Sequence, residues 1–184
     1  MEKIAVFFAQ GYEEIEALTV VDVLRRAQMD VMMVSITKDH QVTGSHGITV
    51  EMDHLFEEID FEAIDMIVLP GGLAGTKALE AYEPLMEQVD DFYKKEKWLA
   101  AICAAPSILG HRGYLAGRRA CSYPTFESHL DGANVCRDAG AVTDGKLITG
   151  RGMGCSVDFA LEILKNLRGE QSAGEMAEKI VYRK

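Results

Sequence analysis

The segment Trp98-Leu-Ala-Ala-Ile-Cys-Ala-Ala-Pro-Ser-Ile-Leu-Gly110 decides the fold, because an apolar strand in it ends at one cysteine and turns directly into a helix. This order is typical of a nucleophile elbow, in which a tight strand-to-helix turn lifts a side chain to the carboxyl edge of a sheet. Pro106 suits the first turn of the new helix. Cys103 is therefore predicted to be reactive, its thiolate favoured by the positive end of the helix dipole. The alternative from this segment alone is a small buried core cysteine.

Strand and helix signals alternate along the rest of the chain. Apolar runs predict strands, and amphipathic or apolar periodic stretches predict helices. Predicted strands are 3–9, 30–36, 65–69, 98–102 and 119–122, with hairpins at 41–52 (outside the main sheet) and 141–149; predicted helices are 13–27, 82–95, 156–167 and 173–180. This alternation implies a mostly parallel sheet with helices on both faces. We expect one domain over residues 1–184, with ligands at the carboxyl ends of the strands.

Composition narrows the class of protein. The chain has 184 residues, of which 48% are hydrophobic, so it can bury a substantial core. Its 19 basic and 29 acidic residues give a net charge of −10, and no basic cluster offers a footprint for nucleic acid or an anionic membrane. No secretory signal or membrane-spanning apolar run is visible. The four cysteines are widely spaced without a Cys-x-x-Cys pair, which predicts a cytoplasmic protein with free thiols and no metal site.

The loop after the first strand supplies a candidate partner for the cysteine. Glu13 and Glu14 are interpreted as acidic residues that stabilise the first turn of a helix. Glu16 lies among apolar neighbours and is the better functional candidate. A carboxyl group pressed against a thiolate is expected to be protonated, because two anions at close range raise one pKa.

The loop after the buried strand 65–69 contains Pro70-Gly71-Gly72. Backbone N–H groups at Gly71 and Gly72, with that of Ala104, are predicted to form an oxyanion hole. An ordinary glycine-rich turn is the alternative. The loop has neither Walker nor dinucleotide-binding spacing.

Taken together, these motifs resemble the ThiJ/PfpI superfamily, and most of all its branch around the parkinsonism-associated deglycase. The resemblance is carried nearly end to end by Gly11-Tyr-Glu-Glu-Ile-Glu-Ala17, Val21-Asp-Val-Leu-Arg-Arg-Ala27, Val68-Leu-Pro-Gly-Gly72, Ala101-Ile-Cys-Ala-Ala-Pro106 and Ile148-Thr-Gly-Arg-Gly152. It implies a flavodoxin-like α/β sandwich that forms a homodimer. It also implies that Cys103 is the functional cysteine, that Glu16 is the buried protonated glutamate, and that no metal or organic cofactor takes part.

One position departs from the pattern of the family. Relatives with glyoxalase-type activity often carry a His-Pro step after the elbow, where this chain has Tyr123-Pro124. A phenol with a reference pKa of about 10 is a poor general base near neutrality. The five histidines are expected at the surface or at helix ends, with His46 the one that can approach the site. Arg26 is a possible anion contact, and Cys121 is either a resolving thiol or a buried structural one.

Two functions follow from the resemblance and the residues. The first is a cofactor-free enzyme for α-oxoaldehydes such as methylglyoxal, with Cys103 as nucleophile and Glu16 as proton shuttle. The second is a redox-responsive stress protein or holdase chaperone, acting on a client protein, whose Cys103 oxidises to sulfinate. An enzyme for another substrate, with Tyr123 suited to different chemistry, also stays open.

Overall fold

The computed structural model describes residues 2–182, whose centre is a seven-stranded sheet in the order β10-β11-β7-β6-β1-β2-β5. All neighbouring strands in it are parallel except β10 and β11. The strands are β1 Lys3–Phe8, β2 Asp30–Ser35, β3 Gln41–Thr43, β4 Thr49–Glu51, β5 His54–Leu55, β6 Met66–Leu69, β7 Trp98–Ile102, β8 Arg119–Ala120, β9 Asn134–Val135, β10 Ala141–Asp144 and β11 Leu147–Gly150.

Helices cover both faces of this sheet. They are α1 Glu14–Arg26, α2 Leu73–Ala81, α3 Glu83–Lys94, α4 Pro106–His111, α5 Ser156–Arg168 and α6 Glu170–Lys179. One apolar core contains side chains of α1, α5 and α6, and a second core on the other face contains side chains of α2, α3 and α4. The predicted flavodoxin-like arrangement is confirmed. None of the helices within residues 2–182 combines the length and hydrophobicity needed to cross a bilayer.

The central strands are apolar throughout because both of their faces are buried. In β7, Ala100 and Ile102 belong to one core, whereas Leu99 and Ala101 belong to the other. This alternation follows from the two-residue period of a strand. Because β7 is parallel to both of its neighbours, its carboxyl end lies at the same edge of the sheet as theirs. Cys103 directly follows that end.

Both predicted hairpins form. The pair β3–β4 is a separate two-stranded sheet, and β10–β11 is antiparallel, with β11 joining β7 in the main sheet. The sequence prediction missed α2, β5 and β9. The first turn of α2 contains Gly75 and Thr76, which resemble loop residues, and the two-residue strands β5 and β9 are too short to show a period.

Candidate active site at the carboxyl edge of the sheet

Three loops that follow β1, β6 and β7 meet at the carboxyl edge of the sheet, as the sequence predicted. The backbone N–H of Glu13 donates to the carbonyl of Gly71 at 2.9 Å, and that of Gly75 donates to the carbonyl of Gly11 at 3.1 Å. Gly72 has a φ of +91°, and a Cβ there would lie 2.6 Å from the Glu13 nitrogen. The close approach of the first two loops therefore depends on glycine at position 72.

Cys103 lies at the end of β7 in the left-handed region, with a φ of +66°. A residue with a side chain rarely adopts this conformation, and it is typical of a strained nucleophile elbow. Two hydrogen bonds hold the turn: the Cys103 N–H donates to the Gly150 carbonyl at 3.0 Å, and the Cys103 carbonyl accepts the Tyr123 N–H at 2.8 Å. The neighbouring strand β11 and the loop after β8 thus fix the cysteine.

Glu16 projects from the first turn of α1 into the same place and is only 1% exposed. Its Oε2 accepts the Gly71 N–H at 3.1 Å, its carboxyl group faces the Cys103 thiol, and its Oε1 has no partner. Burial raises the pKa of Glu16 to about 7, helped by the charge of Glu13 and opposed by the neighbouring Cys103 thiol and the Gly71 N–H. A carboxyl group with this pKa exchanges protons near neutral pH.

The prediction that Cys103 is an acidic thiol is wrong for this environment. Burial and the neighbouring Glu16 carboxylate raise the pKa of the Cys103 thiol to about 12, although the N–H groups of Gly72 and Ala104 lower it. The sequence revealed the helix and the amides but not the burial of the sulfur. Because the Glu16 carboxylate opposes ionisation of the Cys103 thiol, the Glu16–Cys103 pair keeps at least one proton near neutrality.

The three predicted backbone donors divide between the two side chains. The N–H groups of Gly72 and Ala104 face the sulfur of Cys103, whereas the Gly71 N–H is already taken by Glu16. Gly71 has a further role, since a Cβ there would overlap the Glu16 carboxylate and lie 2.5 Å from the Cys103 Cβ. Gly71 is therefore what allows carboxyl group and thiol to meet.

Glu14 is a second buried carboxylate that sequence reasoning treated as a simple helix-end residue. It is 4% exposed, accepts the His46 backbone N–H at 2.6 Å and lies 3.0 Å from His46 Nδ1 and 3.1 Å from the Ser45 hydroxyl. Burial opposes its ionisation, but these donors outweigh it and lower the pKa of Glu14 to about 2. His46 therefore anchors the β3–β4 turn to α1, and its own pKa is raised by Glu14.

Glu13, Glu14 and His46 have ligand atoms within 4.8 Å of one another, a spacing that a metal ion can share. The side chains of Glu13 and Glu14 instead hold the β3–β4 turn through Ser45 and His46.

The other residues predicted to contribute to the site are Tyr123, Arg26 and Cys121, and the structure places them differently. Tyr123 reaches the site through its backbone, and its side chain is 47% exposed. Arg26 is in the last turn of α1, at the opposite end of the helix from Glu16, and pairs with Asp22 at 2.8 Å. Cys121 is buried, with its thiol 3.3 Å from the Thr149 carbonyl, and burial raises its pKa to about 12. All four cysteines are free.

The fold and the elbow define the protein as a flavodoxin-like α/β protein with a cysteine at the carboxyl edge of its sheet. Residues 2–166 match the model of the DJ-1/PfpI family, and the chain belongs to this family.

Three known proteins illustrate the similarity. Protein DJ-1 homolog B of Arabidopsis thaliana is 34% identical over 99% of this chain and 42% of its own length, so the chain spans less than half of that relative. A protein of Pyrococcus abyssi named a deglycase is 32% identical over 90% of this chain and 99% of its own. The solved structure of oxidized Toxoplasma gondii DJ-1 is 29% identical, with a TM-score of 0.94 and full coverage of both chains.

Proposed function

We propose that this protein is a cofactor-free enzyme that converts small α-oxoaldehydes such as methylglyoxal in a glyoxalase- or deglycase-type reaction. The observation that carries the proposal is the buried Glu16 carboxyl group, with a pKa of about 7, which lies with the Cys103 side chain against Gly71 at the elbow. A group whose pKa lies near the working pH can both accept and return a proton. The name of the Pyrococcus abyssi relative supports the same class of activity.

In the first step the Cys103 sulfur attacks the aldehyde carbon while its proton passes to ionised Glu16. The thiol need not ionise beforehand, which is consistent with its high pKa. The N–H groups of Gly72 and Ala104 stabilise the negative charge that develops on the aldehyde oxygen. Protonation of that oxygen by Glu16 gives a hemithioacetal.

In the second step Glu16 removes the proton from the former aldehyde carbon and returns it to the adjacent ketone carbon, while the hydroxyl proton of the hemithioacetal passes to the ketone oxygen. The first carbon is oxidised and the second is reduced, so the rearrangement to a thioester needs no external electron acceptor. Water then hydrolyses the thioester to lactate and releases the thiol. Glu16 serves as the acid and base throughout, because its carboxyl group lies beside the Cys103 thiol and its pKa is near neutrality.

The test is formation of lactate from methylglyoxal by wild type, Cys103→Ser and Cys155→Ser. Cys155 is a matched control, since it is a half-buried free thiol outside the three loops. We expect Cys103→Ser to lose turnover and Cys155→Ser to retain it. Equal turnover in wild type and Cys103→Ser would show that the activity does not depend on the elbow.

A second function is favoured by the buried Glu16 Oε1, which has no hydrogen-bond partner. In a redox-responsive stress protein, peroxide would supply two oxygen atoms to Cys103, and protonated Glu16 and the amides of Gly72 and Ala104 would hold the resulting sulfinate. We expect peroxide to raise the intact mass by two oxygen atoms, retained after dithiothreitol and absent in Cys103→Ser. A reversible loss of two hydrogen atoms would instead indicate a disulfide.

A further inference from the structure

A pair of histidine rings lies at the surface where α2, α4 and the 3-10 turn Pro124–His129 meet. His111 Nε2 is 3.1 Å from His129 Nδ1, and the two rings are nearly perpendicular, at 77°. Glu80 Oε1 lies 2.7 Å from the other nitrogen of His111, Nδ1. This cluster contributes nothing to the Cys103 site described above.

Glu80 determines which nitrogen of His111 is available. A carboxylate accepts a hydrogen bond from Nδ1–H, so neutral His111 keeps its proton on Nδ1 and presents a lone pair at Nε2. A carboxylate behind a histidine is the arrangement that orients metal-ligating imidazoles. The lone pair of His111 points at the nearest nitrogen of His129.

The separation of the two nitrogens suits a shared metal ion. Two imidazole nitrogens bound at about 2.0–2.1 Å to one tetrahedral ion are separated by roughly 3.3 Å. The observed 3.1 Å differs by little, and both rings are exposed enough to turn their lone pairs from each other towards a shared ion. An ion would replace the proton that the two nitrogens share, and water can fill its remaining positions.

The backbone keeps the pair together. A Cβ at Gly110 would lie 2.9 Å from the Cα of Leu130 and would overlap the carbonyl of His129, so the 3-10 turn packs directly against α4 at this glycine. The Phe126 ring lies 5.6 Å from that of His129 and limits its movement on one side. The distance between the two histidines is thus set by packing rather than by their own hydrogen bond alone.

We propose that His111 and His129 form a binding site for a late first-row divalent transition metal ion, with Glu80 as a positioning residue. Two neutral imidazoles favour Cu²⁺, Ni²⁺ and Zn²⁺ over hard ions such as Mg²⁺. The site is separate from the proposed oxoaldehyde chemistry and does not depend on it.

Zn²⁺ is the probe of choice because it does not oxidise the thiols. Calorimetric titration of the full chain should show that His111→Asn and His129→Asn each weaken one Zn²⁺ site at least about tenfold. Glu80→Ala should weaken the same site about 10–100-fold, as loss of an orienting carboxylate does elsewhere. His54→Asn is the matched control, since His54 is also a surface histidine beside a glutamate, and it should leave the affinity unchanged.

A second measurement uses the wild-type chain and so does not depend on folding of the variants. In ¹⁵N-histidine NMR, substoichiometric Zn²⁺ should shift His111 Nε2 and His129 Nδ1 before the other ring nitrogens. The proposal is overturned if Zn²⁺ does not bind, if its affinity is lost in Cys103→Ser, or if the first signals to shift belong to His46 in the Glu13–Glu14–His46 cluster.

Discussion

Glu14 and Glu16 lie two residues apart in the first turn of α1, and both are almost fully buried, yet their pKa values move in opposite directions. Burial acts against ionisation of both. Glu14 receives the His46 backbone N–H, the His46 ring and the Ser45 hydroxyl, and its pKa falls to about 2. Glu16 accepts a hydrogen bond from the Gly71 N–H and faces the Cys103 thiol, and its pKa rises to about 7.

The difference shows that burial alone does not decide the charge of a carboxyl group. Several hydrogen-bond donors can outweigh desolvation, whereas one amide and one thiol cannot. The same helix therefore carries a structural anion on one side and a proton carrier on the other. Pairs of carboxyl groups whose environments separate their pKa values are typical of acid–base sites.

The largest expected effect is on turnover. Glu16→Gln keeps the shape of the side chain but removes its exchangeable proton, so lactate formation should fall by about 10²–10⁴-fold. Glu14→Gln, assayed per folded molecule, should retain most of the activity. Turnover of methylglyoxal by Glu16→Gln at the wild-type rate would contradict the role of Glu16 as the proton carrier.

The next effect is on the pH dependence of stability. The pKa of Glu16 is raised in the folded state, so its stabilising contribution is complete below its ordinary value near 4.5 and is lost as pH rises through about 7. Wild type should therefore lose up to about 3 kcal/mol of unfolding free energy, relative to Glu16→Gln, between pH about 4.5 and 8. Urea unfolding of both proteins across this range measures the difference, and parallel curves would contradict the raised pKa.

Glu14→Gln should destabilise the fold by about 2 kcal/mol at pH 7, because the β3–β4 turn loses hydrogen bonds to a charged acceptor. The contribution of Glu14 to stability changes with pH in the opposite direction to that of Glu16. A lowered pKa gives stability that is present above the ordinary value and is lost as pH falls towards about 2. Thermal unfolding at pH 7 and at pH 3 should show a smaller penalty at the lower pH, and an equal penalty would show that the charge of Glu14 is irrelevant.

The smallest effect is expected at Tyr123, which tests whether Glu16 acts alone. Tyr123 contacts the site through its backbone N–H, and its side chain is exposed. Tyr123→Phe should therefore change turnover by less than about tenfold. Tyr123→His should increase the rate if a histidine base adds to Glu16. A large loss in Tyr123→Phe would give the phenol a direct part in the chemistry.

Much of the site was predictable because its residues occupy ends of recognisable elements. Cys103 follows an apolar strand, and Glu16 is the one acidic residue of its turn with apolar residues on both sides. Glu14 was missed because its partners Ser45 and His46 are about 30 residues away in a hairpin. His111 and His129 were missed as a pair for the same reason, since their elements meet only through packing at Gly110. The homodimer, the small carbonyl substrate or client protein and the cytoplasmic location stay predictions.

The sequence by itself determined most of the strands and helices, the mostly parallel sheet and the three loops at its carboxyl edge, because apolar periodicity and turn residues are local properties. Only the tertiary structure decided the protonation of the site. A pKa depends on which groups from distant segments surround a side chain and on how much water they exclude. That is why the sequence predicted an acidic Cys103 thiol, whereas the folded chain assigns the proton exchange near neutrality to Glu16.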